Sequence, residues 1–531
     1  MRQITLALLF FLTFSLTALA DVPTKKFIEL GWDIPNTQYI RAHWQEMEAN
    51  APFAGIMYEI RAAAGGTSSQ HFMSPDDWNR EDFQSCIDDM NSCKFQLYTD
   101  NFIRINFSPG TVDWDDDAGW ERLCKKAAIC AWVARETGSK GVAPDFESYG
   151  RPLFRNCPEI SKGMSYAVLK KLVRTRGEQF CKALASEYPN MTVLSLWLNS
   201  INCSAGRSAN PDAVLASSGY GLLPAFIEGM LDAAPAEMVL VDGCETGYYI
   251  EGDEFRKYAL DMVLWTGACA KLVAPELRQK YRSQVQSGFG IYLDMYTNPE
   301  GSHYYRGPKE DGGSRLDRLC DSLRDSLAAS DQYVWVYGEK NRWWNIPEKQ
   351  NPEKPCIHWE TALPGLSDQL VQIANPEKVL ARIVERVNAG KEGENLITPE
   401  TKWGFWQDEK SHGTKTQGEN LLEIKNCENG CFLFEKAVQP GERFYFEAEV
   451  RATGAALPYA NTSWQNAHGW VWAYSSSYST DPNDQAEWKK VNGWVTTPPG
   501  ITKLVLMLGV HNQAAESDEC QFRNMKIFQL K

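Results

Sequence analysis

Between residues 26 and 390 the sequence alternates eight times between a short apolar or aromatic run and a longer stretch with helical spacing, and no other feature limits its fold as tightly. Runs at 27–33, 53–60, 101–107, 141–147, 192–199, 237–245, 287–296 and 332–339 read as strands. Segments at 37–50, 77–92, 117–137, 164–187, 220–234, 253–286, 314–330 and 366–389 read as helices. In 117–137, Trp120, Leu123, Ala127, Cys130, Ala131 and Ala134 form one stripe, while Lys125, Lys126 and Arg135 face away from it. Strands separated by helices run parallel, and eight such repeats in series imply a closed (β/α)8 barrel. An open doubly wound sheet would alternate in the same way, but no Gly-x-Gly-x-x-Gly follows the first strand.

The pattern changes beyond residue 390. Helical spacing stops, and short alternating runs separated by turn residues appear at Phe432–Glu435, Arg443–Val450, Gly469–Ser475, Trp488–Thr496, Lys503–Val510 and Gln521–Leu530, as in a β-sandwich. The expected division is a leader over 1–20, a barrel over 21–390 and a sandwich over 391–531. The leader expectation rests on Met1-Arg2, an apolar run from Ile4 to Leu19 and a small-x-small ending at Ala18-Leu19-Ala20, which together read as an export signal. The expected location is therefore secreted or periplasmic. No later run approaches the length of a membrane span, so stable membrane insertion is not expected.

Net charge is −14 and there is no basic cluster, which argues against a nucleic-acid partner. The chain holds 19 Trp, 21 Tyr and 23 Phe, whose faces suit the C–H faces of sugars. The 14 Cys are even in number and admit disulfides. No Cys/His spacing matches a zinc site and the seven His form no ligand pair, so no metal or cofactor is expected. Oligomeric state is not legible.

Strand side chains alternate faces. With the aliphatic side of each strand assigned to the helices, the barrel interior receives Glu29 and Asp33, Glu59, Arg104 and Asn106, then Asp145 and Glu147. It further receives Ser195, Trp197 and Asn199; Asp242 or Glu245; Tyr292, Asp294 and Tyr296; and Trp335, Tyr337 and Glu339. The segment Gly141-Val-Ala-Pro-Asp-Phe-Glu147 carries two carboxylates on one face at a carboxyl end, where barrel sites lie. Burying this many polar groups is costly unless they line a wet cleft, and Arg104 alone cannot neutralise the acids. A cleft for a polar ligand with ring faces, a sugar, follows.

On these residues the chain resembles the (β/α)8 TIM-barrel glycoside hydrolase superfamily. Asp145-Phe-Glu147 is similar to the D-x-E ending of chitinase-type strand-four motifs, although Ala143 and Lys140 stand where the fuller motif has acids. Residues 391–531 resemble the jelly-roll carbohydrate-binding modules attached to such enzymes, on Trp403-Gly-Phe-Trp406, Trp488–Trp494 and Lys503–Leu508. The resemblance implies a barrel followed by an all-β jelly-roll sandwich, and hydrolysis of a poly- or oligosaccharide by paired carboxylates. Glu147 is the expected acid, with Asp145 raising its pKa or orienting the substrate. Glu339 or Asp294 is the expected second carboxylate. Glu29, Asp33, Glu59, Arg104, Asn106, Trp197, Asn199, Glu245, Tyr292, Tyr296, Trp335, Tyr337 and Trp343 are the expected substrate contacts. A non-catalytic polysaccharide-binding protein and a polysaccharide lyase are the alternatives.

Overall fold

The computed structural model describes residues 24–310, 313–349, 356–479, 486–498, 500–513, 515 and 517–530. The leader-like segment lies outside the described residues. Nine parallel strands form the first sheet: β1 (Lys26–Gly31), β2 (Gly55–Tyr58), β3 (Phe102–Asn106), β4 (Gly141–Asp145), β5 (Thr192–Ser195), β6 (Val239–Asp242), β7 (Val285–Ser287), β8 (Phe289–Tyr292) and β9 (Tyr333–Gly338). The order β7-β6-β5-β4-β3-β2-β1-β9-β8 closes on itself, because β7 and β8 are two halves of one strand interrupted at Gly288. β7 pairs with β6, and β8 pairs with β9. The result is an eight-fold parallel barrel. Pro144 does not disturb it: the β3–β4 register runs unbroken from Phe102↔Gly141 to Asn106↔Asp145.

Glycines on the broken strand make room for the barrel's filling. A Cβ on Gly290 would lie 2.4 Å from Trp335 Cζ2, so the Trp335 ring occupies the space a larger residue would need. The strand faces opposite carry Ile28, Leu30, Ile103, Ile105, Val142, Val193 and Val334, all buried in the main core.

The helices follow the apolar spacing closely at Thr37–Asn50, Asp117–Glu136, Tyr166–Glu187 and Arg315–Ala329. Asp116 caps the second of these by accepting from Gly119 N at 2.9 Å, which satisfies an otherwise orphaned amide. Two expected helices are broken. Residues 253–286 divide into Asp253–Val263, Ala268–Lys271 and Arg278–Gln284, interrupted at Gly267 and Pro275. Residues 366–389 divide at Asn375–Pro376, because proline cannot continue the hydrogen-bond ladder.

The second part is a sandwich of two five-stranded sheets. One has the order β10 (Gly404–Gln407), β13 (Asn429–Ala437), β18 (Lys503–His511), β15 (Leu457–Asn466), β16 (Gly469–Ser479). The other has the order β11 (Thr414–Gln417), β12 (Leu421–Lys425), β19 (Glu519–Leu530), β14 (Arg443–Ala452), β17 (Lys489–Thr496). Leu422, Phe432, Phe444, Trp464, Leu506 and Phe522 belong to a core separate from that of the barrel. Four of these strands, β10, β11, β12 and β15, were not expected from the sequence. Among the described residues no helix is long and apolar enough to cross a membrane.

Candidate active site

Three glutamates converge at the carboxyl ends of the barrel strands, each held by different means. Glu147 follows β4. Asp145 is buried beneath it, pairs with the Arg104 guanidinium and accepts from the Glu147 backbone N–H at 2.9 Å. Arg104 also donates to Gln70 Oε1 at 2.6 Å, which ties β3 and the segment after β2 to the same carboxylate. The half-buried Glu147 side chain accepts from the Tyr149 hydroxyl. Burial pushes the Glu147 carboxyl above the usual range. The charges of Asp145 and Glu339 add to this, while the Tyr149 donor and Arg104 oppose it.

Glu245 follows β6, and the choice left open between Asp242 and Glu245 is resolved by what each touches. Asp242 is fully buried and saturated, accepting from Leu198 N at 2.9 Å, Ser200 N at 2.8 Å and Ser200 Oγ. It ties down the loop after β5. Cys244 then adopts φ 23° and ψ 79°, a conformation that costs a non-glycine residue energy and is found mostly where the surroundings over-determine it. This turn opens the 3-10 segment Glu245–Tyr248 and sets Glu245 among the other acids. The Glu245 carboxyl is pushed up to about 8, first by burial and then by the charges of Glu147 and Asp145.

Glu339 follows β9. Its backbone N–H donates to Asp294 Oδ2 at 2.7 Å, and that of Lys340 donates to Oδ1 at 3.1 Å. Asp294 is fully buried on the turn Leu293–Tyr296, with both oxygens occupied, so it anchors the Glu339 loop instead of facing a ligand. The Glu339 carboxylate accepts from Tyr337 OH at 3.0 Å, and Trp32 Nε1 donates to Tyr337 OH at 2.8 Å. Burial pushes the Tyr149, Tyr292 and Tyr337 hydroxyls up, and neighbouring carboxylates add to the shift, so all three keep their protons as donors.

An aromatic wall stands beside these acids. Tyr248, Tyr292 and Tyr337 are mutually in contact at centroid distances of 5.2 to 6.3 Å. Above them the rings of Trp32, Tyr149, Tyr249 and Tyr304 are exposed, Trp32 by 60% and Tyr149 by 65%.

The expected contacts divide into three groups. Arg104, Asn106, Glu245, Tyr292 and Tyr337 lie with the three glutamates or next to them, Asn106 being half-buried with its Oδ1 accepting from Ser108 N. Trp197, Asn199, Tyr296, Trp335 and Trp343 are buried, Trp335 inside the barrel with its ring against Tyr248 and Tyr337. Trp335 Nε1 donates to Gly243 O at 2.6 Å, Tyr296 OH meets Ser322 Oγ at 2.9 Å, and Asn199 Nδ2 donates to Cys269 O at 3.3 Å. Trp343 packs edge-on against Phe53. The reason is geometric: β5 stops at Ser195 and β8 at Tyr292, so the alternation that placed Trp197, Asn199, Asp294 and Tyr296 inward had already ended. Glu29, Asp33 and Glu59 line the interior but are buried beneath the mouth, Glu59 paired with Arg61 at 2.5 Å. Trp32, Tyr149, Tyr304 and Gln70 were missed. Trp32 belongs to the same alternation error, since β1 ends at Gly31 and the next side chain swings out over the mouth.

Two of the clefts among the described residues lie elsewhere. One of 490 Å³ is crossed by the Arg318–Glu251 and Lys309–Asp321 pairs. The other, of 310 Å³, is lined by Asn395, Trp403 and Asn420 in the second part of the chain. Neither brings converging carboxylates against rings, as the barrel mouth does. Among the described residues no three His, Cys, Asp or Glu side chains are placed to hold one metal ion.

No protein-family model matches the sequence, and no curated protein matches it. Several solved structures resemble parts of it at a distance. One is the enzymatically active domain of bacteriophage CBA120 tailspike protein 4 (11% identity, 37% of this chain and 26% of that one, TM-score 0.22). Another is the CBM22-1 xylan-binding domain from Paenibacillus barcinonensis Xyn10C (14% identity, 26% of this chain and 97% of that one, TM-score 0.21). A third is the arabinose-bound MgGH51 α-L-arabinofuranosidase (10% identity, 26% of this chain and 27% of that one, TM-score 0.20). The chain spans about a quarter of the length of the tailspike domain and of the arabinofuranosidase. Its own architecture, a parallel barrel followed by an antiparallel sandwich, is the one expected from the sequence.

Proposed function

We propose that the chain is an exported glycoside hydrolase acting on a poly- or oligosaccharide, with Glu245 as proton donor and Glu339 as the second carboxylate. The observation that carries this reading is the convergence of Glu147, Glu245 and Glu339 beside a wall of tyrosines, with the Glu245 carboxyl pushed up to about 8. A carboxyl with that value holds its proton at neutral pH and can deliver it to a leaving-group oxygen. Glu339, which accepts from the Tyr337 hydroxyl, is the second carboxylate and acts on the anomeric carbon directly or through water. Glu147 supplies negative charge that keeps the proton on Glu245, and Asp145 fixes Glu147 from below. The exposed rings of Trp32, Tyr149, Tyr249 and Tyr304 offer faces for sugar stacking.

The sandwich adds a second contact to this reading. Trp470 and Trp472 are exposed and stacked at 4.9 Å on one face of β16, a flat platform with no counterpart in the core. Such a platform also supports the alternative of glycan binding without cleavage. Purified residues 21–531, Glu245→Gln and Glu147→Gln are to be incubated with a panel of polysaccharides and aryl glycosides and assayed for new reducing ends. The expected outcome is cleavage by the wild type and its near-complete loss in Glu245→Gln. Binding without cleavage by any of the three proteins would favour the binding-only alternative.

A further inference from the structure

Cys203 and Cys269 lie 66 residues apart in sequence, yet their sulfurs are in contact at 3.3 Å, both buried. The contact is built by the backbone around it. Cys203 opens the turn Cys203–Gly206, and Cys269 sits in Ala268–Lys271. A Cβ on Gly206 would lie 2.0 Å from Ala268 O, so only glycine lets the two turns approach this closely. Asn199 Nδ2 donates to the Cys269 carbonyl at 3.3 Å and fixes the second turn to the segment leading into the first. To join, the sulfurs would close from 3.3 Å to about 2.05 Å.

We propose that Cys203 and Cys269 form a disulfide when the chain folds under oxidising conditions. The two thiols lose two protons and two electrons, and one S–S bond forms. The electrons pass to a small-molecule or protein disulfide, whose own S–S bond becomes two thiols. The loop so closed, 203–269, carries β6 and the Glu245 turn, so the link ties that segment to the barrel at both of its ends. The inference is independent of any catalytic role for Glu245. Its specificity lies in the choice of partner, because Cys244 is a third buried thiol close enough for its ionisation to be opposed by Cys203. The Cys269 thiol is pushed up by its contact with Cys203 and by burial.

The test is to refold reduced residues 21–531 in a glutathione redox buffer, alkylate free thiols under denaturing conditions and map peptides without reduction. A peptide pair joining Cys203 to Cys269 is expected, together with a melting midpoint that falls when a reductant is added. In Cys203→Ser the midpoint is expected to equal that of the reduced wild type and no longer to respond to reductant. Recovery of both cysteines alkylated, or of either one linked to Cys244, would overturn the proposal. The peptide map needs only the wild-type chain, so it decides the matter even if the serine variant does not fold.

Discussion

Glu29 and Asp33 are both fully buried, and among the described residues no donor reaches either oxygen of Glu29 or Oδ1 of Asp33. Glu29 Oε1 and Asp33 Oδ1 crowd the same space above Gly31, where a Cβ would lie 3.0 Å from the first and 2.2 Å from the second. Two acceptors cannot satisfy one another, so a proton belongs between them. Burial pushes Glu29 well above its ordinary 4.5, with Asp33 and then the opposing charges of Arg342 and Lys349 following. Burial likewise raises Asp33 to about 6. Because both folded-state values are raised, the stability they contribute is whole below about pH 4 and is lost as pH rises through the folded values. For Asp33 the window runs from 3.8 to about 6. In Glu29→Gln the amide takes the place of the protonated acid. The expected result is a melting midpoint that declines less than that of the wild type between pH 5 and 8, read by thermal melts across that range. A variant whose decline matches the wild type would show that the pair holds no such proton. Tyr149 supplies a second test at this scale. Its hydroxyl favours ionised Glu147, so Tyr149→Phe is expected to raise the Glu147 carboxyl further, seen as a carboxyl infrared band that persists to higher pH.

At the scale of the element, the strand interrupted at Gly288 is what makes the barrel close, and Gly290 is what lets Trp335 fill it. Gly290→Ala would drive a methyl to 2.4 Å from a buried indole whose Nε1 is already bonded to Gly243 O. An overpacked site of this kind costs about 1–3 kcal/mol, and a lower melting midpoint is the expected readout. The same strands show how far the sequence could be read. Asp145 was legible because β4 runs regularly to its end there, and Glu147, two residues past that end, stays beside it because its backbone N–H donates to Asp145. Asp294, Trp197 and Trp32 were misplaced because their strands stop two to four residues earlier than the apolar pattern suggests. Past that point side-chain direction is set by tertiary hydrogen bonds, such as those from Glu339 N to Asp294 and from Leu198 N to Asp242, which no local pattern encodes. Glu245 could be placed only as one of two candidates because the unusual φ of Cys244 re-aims the chain between them. β15 escaped notice because the half-buried Tyr459 and Asn461 are aromatic and polar, and its bulge near Thr462 breaks strict alternation.

For the whole molecule, two separate cores imply two cooperative units. Scanning calorimetry is expected to resolve two transitions, and a single transition would show that the units melt together. The units are expected to divide the work as well. Trp472→Ala removes half of the stacked platform on β16 while leaving the barrel mouth intact. It should weaken binding to an insoluble polysaccharide by about tenfold, a loss of about 1.4 kcal/mol, with turnover of a small aryl glycoside unchanged.

The most direct test of the account is the pH dependence of kcat/KM on a cleaved aryl glycoside, for the wild type, Glu245→Gln and Glu147→Gln. The wild-type rate is expected to fall as pH rises through about 8, where Glu245 loses its proton. Glu245→Gln should lose roughly 10²–10⁴-fold in rate. Glu147→Gln should keep measurable turnover with its basic limb moved to lower pH, because one of the charges holding the proton on Glu245 has gone. A Glu245→Gln enzyme with wild-type rate, or a Glu147→Gln enzyme that is dead while Glu245→Gln turns over, would contradict the assignment.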